Sequence, residues 1–235
     1  MDKEGIQTDT KTSVKPANFC RYMAKPAPIE NIRPGLEYLS ELDRFKIEKI
    51  PSLSEAIIGI ETNNKYIIKN LNDEQFYYAY EFTEACIRLC CGSRRGFRIN
   101  VLDNYREEVM NITRNYKSCA GHCWFAGCCQ CCTYEVVVMA SGKLIGTIRQ
   151  TKSFWKSCYE ILDENEKIVV KLKGPCCAVN FCCCSCEKRI KVLTSDGKFQ
   201  IGNITKESIE TNENRKADIY SISFPVDLAA SAKGI

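Results

Sequence analysis

The chain has 235 residues, 45% hydrophobic and 26% charged, the balance of a folded globular protein with apolar mass for one large core or two small ones. A net charge of +4 is too weak by itself to argue for nucleic acid, and no run of about 18 apolar residues would cross a bilayer as a helix. The N-terminal MDKEGIQTDTK is polar and charged, unlike a secretory signal, so the expected address is cytosolic.

Residues 1–33 contain Pro16, Pro26 and Pro28 without apolar periodicity, which predicts a disordered N-terminal arm. Leu36, Leu39, Leu42 and Phe45 recur at roughly helical spacing, so a short amphipathic helix is expected ahead of Pro51. From there the pattern is strand and turn. Twelve strands are expected, near 56–60, 65–70, 75–81, 97–102, 107–113, 133–139, 143–149, 157–162, 166–172, 187–193, 197–204 and 218–224. Turn signals separate them: NLNDE, Leu102-Asp103-Asn104, Ser141-Gly142, Asp163 to Asn165 and Asp196-Gly197.

The strands fall into an internal repeat. FRINVLDNYREEVMNI, a cysteine-rich loop and YEVVVMASGKLIGTI match YEILDENEKIVVKL, a second cysteine-rich loop and RIKVLTSDGKFQIGNI. Each unit ends in Ile-Gly-x-Ile. A series of antiparallel hairpins without long helices implies a barrel or sandwich. Twelve strands make a barrel too wide for its own side chains to fill, so a plug is expected.

The 17 cysteines are an odd number, and thiols stay reduced in the cytosol, so a full disulfide framework is disfavoured. They cluster as Cys86, Cys90 and Cys91; as CAGHCWFAGCCQCC from Cys119 to Cys132; and as the group from Cys176 to Cys186. Two chemistries fit. Zinc could take Cys119, His122, Cys123, Cys183 and Cys186, since C-x-x-C spacing and one histidine suit a tetrahedral site. S-acylation could use Cys128, Cys129, Cys131 and Cys132, beside the interface-seeking Trp124 and Phe125. Arg88, Arg94, Arg95 and Arg98 would then form a basic patch toward an anionic membrane. Isolated Cys20 and Cys158 read as small packing residues. A catalytic cysteine is the poorest reading, because His122 is the single histidine.

Several stretches taken together resemble the phospholipid scramblase family. They are PGLEYLSELD (34–43), GIETNNKYIIKN (59–70), CCG at 90–92, LDN at 102–104, the cysteine loop ending in CC before YEV, GKLIGTI, KGPCC at 173–177 and SFPVDL (223–228). The likeness covers about Pro34 to Leu228. It implies an all-β, tubby-like fold: a closed barrel of twelve antiparallel strands over 34–228 around an apolar C-terminal helix. Residues 229–235 would be the truncated start of that helix, the plug itself missing from this chain.

The resemblance further implies ATP-independent, calcium-linked, bidirectional movement of phospholipids between leaflets, with no enzymatic reaction. The protein would be held on the cytoplasmic face of the plasma membrane by palmitate on the middle cysteine cluster, with a cytosolic or nuclear pool. Its partners would be an anionic phospholipid membrane, unidentified proteins and, less directly, nucleic acid. Of the family's acidic calcium segment, Asp218 and Asp227 remain, whereas Lys216, Ile219 and Ala229 replace oxygen-bearing side chains. Calcium needs six or more oxygen ligands, so only a weak site is expected. The alternative is a tubby-like lipid- or protein-binding adaptor, or a zinc-bearing nuclear regulator, without scrambling activity.

Overall fold

A computed structural model describes residues 21–51, 63–84, 87, 95–119, 130–153, 156–176, 189–211 and 215–235. The first elements are β1 (Arg21–Tyr22), α1 (Glu37–Ser40), β2 (Arg44–Ile50), β3 (Lys65–Lys69) and β4 (Glu74–Phe82). The middle of the chain holds β5 (Phe97–Asp103), β6 (Glu108–Arg114), a 3₁₀ turn (Gln130–Cys132), β7 (Glu135–Ala140) and β8 (Lys143–Thr151). Then follow β9 (Lys156–Asp163), β10 (Ile168–Cys176), β11 (Arg189–Thr194), β12 (Gln200–Thr211), β13 (Arg215–Ser223) and α2 (Ala230–Gly234).

Strands β2 to β13 form one closed antiparallel barrel in which each pairs with its sequence neighbours. Closure is made by β13 on β2, in register from Ile219↔Glu48 to Ser223↔Arg44. Closure leaves no free edge among the twelve, which removes the aggregation hazard of an open sheet. The expected all-β barrel is therefore the fold, with only a small C-terminal helix.

Two expectations for the N-terminal half change. The helix near 36–45 shrinks to the single turn of α1, and Phe45 belongs to β2. Phe45 and Ile47 alternate with Lys46 and Glu48, a period of two, and pairing with β13 and β3 overrides the leucine spacing that precedes them. The strand expected near 56–60 lies outside the described residues, and β2 is the twelfth strand of the barrel. The described part of the N-terminal arm runs extended along the barrel. Met23 N donates to Gln75 O, and the Arg33 guanidinium donates to the carbonyls of Lys143 and Leu144.

The hairpin turns at one end share a single design. Asn70 Oδ1 accepts from the N–H of residues 72 and 74, Asp103 Oδ1 from 105 and 107, and Asp163 Oδ1 from 165 and 167. In each turn the fourth residue has positive φ: Asp73 at 58°, Arg106 at 67° and Glu166 at 58°. A short acceptor side chain that captures two backbone donors makes this left-handed step tolerable for residues with a Cβ. The repeated Asn/Asp signals in the sequence are these turns.

All such tight turns lie at one end of the barrel, together with α1, the 224–229 segment and α2. Up-and-down connectivity therefore sends the three cysteine-bearing connections (β4–β5, β6–β7 and β10–β11) to the other end. The two ends are called the floor and the cysteine-loop mouth.

Candidate functional site

Inward residues of alternate strand positions line an apolar cavity of about 470 Å³ within the barrel, among them Ile68, Ile99, Ile112, Ile148, Val170, Ile204 and Ile222. Its floor is shut by α1 and α2. Leu36, Leu39 and the aromatic cluster of Tyr38, Phe45, Phe76, Tyr77 and Phe224 pack there. Ile235 and Leu228 touch both apolar clusters of the core, one on each side of the lumen. Lys233 is 94% buried by this packing, being 6% exposed, yet its ammonium donates to Leu42 O at 2.9 Å and Val226 O at 2.8 Å. It also sits 5.1 Å from the centre of the Phe224 ring. Desolvation holds its pKa below the usual lysine value.

One step further toward the mouth, the inward position turns polar on six of the strands. It is Glu81 on β4, Arg114 on β6, Gln150 on β8, Tyr159 on β9, Lys206 on β12 and Asp218 on β13. Each lies two residues beyond a cavity-lining Ala79, Ile112, Ile148, Ile161, Ile204 or Tyr220. These residues form a charged collar above the apolar lumen. Glu81, 4% exposed, accepts hydrogen bonds from Asn64, Thr83 and Arg95. Burial alone would raise its pKa, but those donors and the Arg95 charge outweigh it and hold the carboxyl below its ordinary value. The Arg114 guanidinium is stacked between Phe97 and Tyr134, 4.5 and 4.8 Å from the ring centres, and donates to Arg95 O at 2.7 Å. Lys206 and Asp218 pair at 2.7 Å. The Tyr66 hydroxyl reaches into the same collar, its pKa pushed up to about 12 by burial and then by the charge of Glu81.

The collar was hidden in the sequence, since polar residues near strand ends read as surface until closure shows which parity faces inward. Of its members only Asp218, and of their partners only Arg95, stood among the expected site residues. The structure separates Arg95 from the expected basic patch: its side chain is 14% exposed and bonded to Glu81, whereas Arg98 is exposed. Arg88 and Arg94 lie outside the described residues. The two acidic residues of the calcium expectation are not brought together. Asp218 is in the collar, and Asp227 lies past the far end of β13 on the floor, some 17 Å of strand away at about 3.3 Å per residue.

Among the four cysteines expected to carry lipid, Cys131 is exposed and Cys132 half-buried in the 3₁₀ turn at the mouth. Cys128 and Cys129 lie outside the described residues. Of the zinc set, Cys119 is exposed at the same end, and His122, Cys123, Cys183 and Cys186 lie outside. Among the described residues no three His, Cys, Asp or Glu side chains are grouped to hold a metal. Cys158 is half-buried on the outer face of β9. Among them, too, no helix is long and apolar enough to cross a membrane.

Known proteins give this geometry a context. The family described as Scramblase matches residues 23–235. Phospholipid scramblase 1 of Homo sapiens is 37% identical over 222 residues, covering 91% of this chain and 65% of that protein. Phospholipid scramblase 2 of Bos taurus is 34% identical over 220 residues, covering 91% and 71%. Phospholipid scramblase family member 5 of Homo sapiens is 30% identical over 229 residues, covering 94% and 81%. The chain thus spans just under two thirds of the length of the first of these. No solved structure matches it.

Proposed function

The chain belongs to the scramblase family, and from that premise we propose that it moves phospholipids between bilayer leaflets in both directions without ATP, attached to the cytoplasmic face of a membrane. The carrying observation is the family match through residues 23–235, which spans the whole barrel from β2 to α2. The interior supports it in kind: an apolar lumen under a charged collar has the polarity profile of an amphiphile, tail below and head above. Attachment rests on acyl chains at Cys128, Cys129, Cys131 and Cys132. One acyl chain anchors weakly, so several are needed. Calcium enters only as a weak ligand, for Asp218 is engaged by Lys206 and stands apart from Asp227.

The test is reconstitution. The purified chain in vesicles with fluorescent lipid in both leaflets should expose the inner-leaflet lipid to a membrane-impermeant quencher, with and without calcium. Retention of the protected inner-leaflet fraction at every protein density would refute scrambling. Changing the four cysteines to alanine should shift the protein from membrane to cytosol. If hydroxylamine releases no acyl groups and the variant stays on membranes, acyl anchoring fails, and stoichiometric zinc in the protein would replace it. The cavity of about 470 Å³ favours one second reading, a lipid-binding adaptor. Lipid that copurifies with a chain inactive in the quencher assay would select it.

A further inference from the structure

On the outer wall of the barrel several cations are matched by carboxylates of neighbouring strands, whereas a group of cations on β9 to β11 is gathered on one face. Across neighbouring strands, cations on the outside meet carboxylates: Lys69 with Glu48 at 2.6 Å, Arg149 with Glu135 at 3.0 Å and Lys171 with Glu160 at 3.4 Å. On β10 and β11 the pattern breaks. Lys173 and Lys191 stand directly opposite one another, and their next neighbours outward are Cys158 and Asn203. Like charges in a cross-strand pair destabilise a sheet. Lys156 and Arg189 extend the same outer face, and among the described residues no carboxylate lies within salt-bridge distance of Lys156, Lys173 or Lys191.

The β11–β12 hairpin completes a cleft over this face. Gly197, with φ of 77°, lets the turn curl toward β10, where the Lys171 side chain lies beneath it, and Lys198 joins the rim. The cleft measures about 730 Å³, and of the ten residues lining it five are Lys or Arg and none is acidic.

We propose that this cleft binds the polyphosphorylated headgroup of an anionic membrane phospholipid. This deepens the lipid reading above and rests on it. Five cations around one concavity exceed what a single phosphate diester needs, and suit a headgroup with several phosphates. A bilayer fits better than a nucleic acid. No aromatic side chain lines the cleft, so a base would have no stacking platform there. Next to Lys198, Phe199 is 68% exposed at the hairpin tip, where a ring beside cations can enter the interfacial layer.

The full chain is tested by co-sedimentation with phosphatidylcholine vesicles carrying a phosphatidylinositol bisphosphate, against vesicles given the same surface charge with phosphatidylserine. The wild type should prefer the bisphosphate vesicles about tenfold, and Lys173→Ala/Arg189→Ala/Lys191→Ala should lose that preference and about a hundredfold in affinity. Lys65→Ala/Lys143→Ala/Lys167→Ala, equal in charge removed from exposed sites elsewhere, should keep the preference. Lys191→Glu supplies Lys173 with an opposite charge, so it should melt higher while binding less, which separates loss of binding from loss of fold. A triple variant that keeps the wild-type preference, or a wild type with none, overturns the cleft even where the quencher assay shows scrambling. Tighter binding to duplex RNA than to vesicles overturns the lipid assignment. A wild type that sediments with no vesicle and scrambles none refutes the lipid reading itself.

Discussion

Lys206 Nζ lies 2.7 Å from Asp218 Oδ2, a diagonal pair that ties β12 to β13 just inside the mouth of the barrel. The carboxylate that the sequence offers to calcium is thus already neutralised. Calcium binding should be millimolar or weaker, about 10⁻³ M, as in sites poor in oxygen ligands. Asp218→Asn should leave the calorimetric isotherm unchanged. Micromolar binding that vanishes in Asp218→Asn would contradict this. Because both side chains are about a third exposed, the pair itself contributes well under about 1 kcal/mol.

Lys233 to Leu42 is the longest-range link in the floor, joining α2 to a residue two positions before β2. Two hydrogen bonds from a buried ammonium hold α2 against the barrel, and removing them also leaves two carbonyls without that donor. Lys233→Ala should cost about 2 kcal/mol, a fall in melting temperature of roughly 4–8 °C for a chain of this size. Lys233→Arg should recover part of it. A melting temperature unchanged by Lys233→Ala would show that α2 is held by its apolar contacts alone.

The Ile-Gly-x-Ile ending of the internal repeat has a packing cause. A Cβ on Gly146 would overlap the Ile235 side chain and the Leu162 carbonyl oxygen, and one on Gly202 would overlap the Ser223 carbonyl oxygen. Both positions are points of close strand approach. Gly202→Ala should therefore destabilise by about 1–3 kcal/mol or more, since backbone cannot retreat as a side chain can. Denaturant titration of Gly142→Ala offers the contrast. Gly142 meets nothing within 4 Å, so its cost arises only from its φ of 73°.

Much of the barrel was legible because its signals are local. Asn70, Asp103 and Asp163 mark turns by chemistry contained within five residues, and the alternation of β4 to β13 follows from them. Strand β2 was missed because Leu36, Leu39 and Leu42 set a helical rhythm that Phe45 happens to continue, and only its partners β3 and β13 decide the matter. The collar was illegible for a related reason. Glu81 and Arg95 are 14 residues apart and each looks like surface, until closure turns both toward the lumen.

The collar gives the protein a defined pH response. Tyr66 has its pKa raised to about 12, so its protonated form is favoured by folding. Its contribution is complete below the ordinary tyrosine value of about 10 and is lost as pH rises toward 12. Lys206, raised chiefly by its hydrogen bond to Asp218, loses its contribution in the same direction, above the ordinary lysine value of about 10.4. Glu81 is lowered, so its contribution is present at neutral pH and lost as pH falls below about 4.3. Denaturant midpoints taken across pH should fall on both flanks, and Tyr66→Phe should flatten the alkaline one. An alkaline slope unaffected by that change would place the titrating group elsewhere.

The lumen gives the last prediction. About 470 Å³ of space bounded by isoleucine, valine and phenylalanine leaves those side chains short of contacts they would have in a filled core. Hydrophobic dye should therefore bind the folded chain, and lipid or an apolar helix supplied in trans should displace it. Filling the space from within should stabilise. Ala232, on α2 and facing the cavity, is the place to begin, because leucine there adds apolar volume without reaching the Lys233 bonds. Ala232→Leu should raise stability by about 1 kcal/mol, a few degrees in melting temperature, and weaken dye binding. Ile148→Ala, which enlarges the same cavity, should do the reverse by about 2–4 kcal/mol. If Ala232→Leu instead lowers the melting temperature, α2 is already packed to its limit. If both changes leave dye binding untouched, the dye sits outside the barrel and the lumen is closed to ligands of that size.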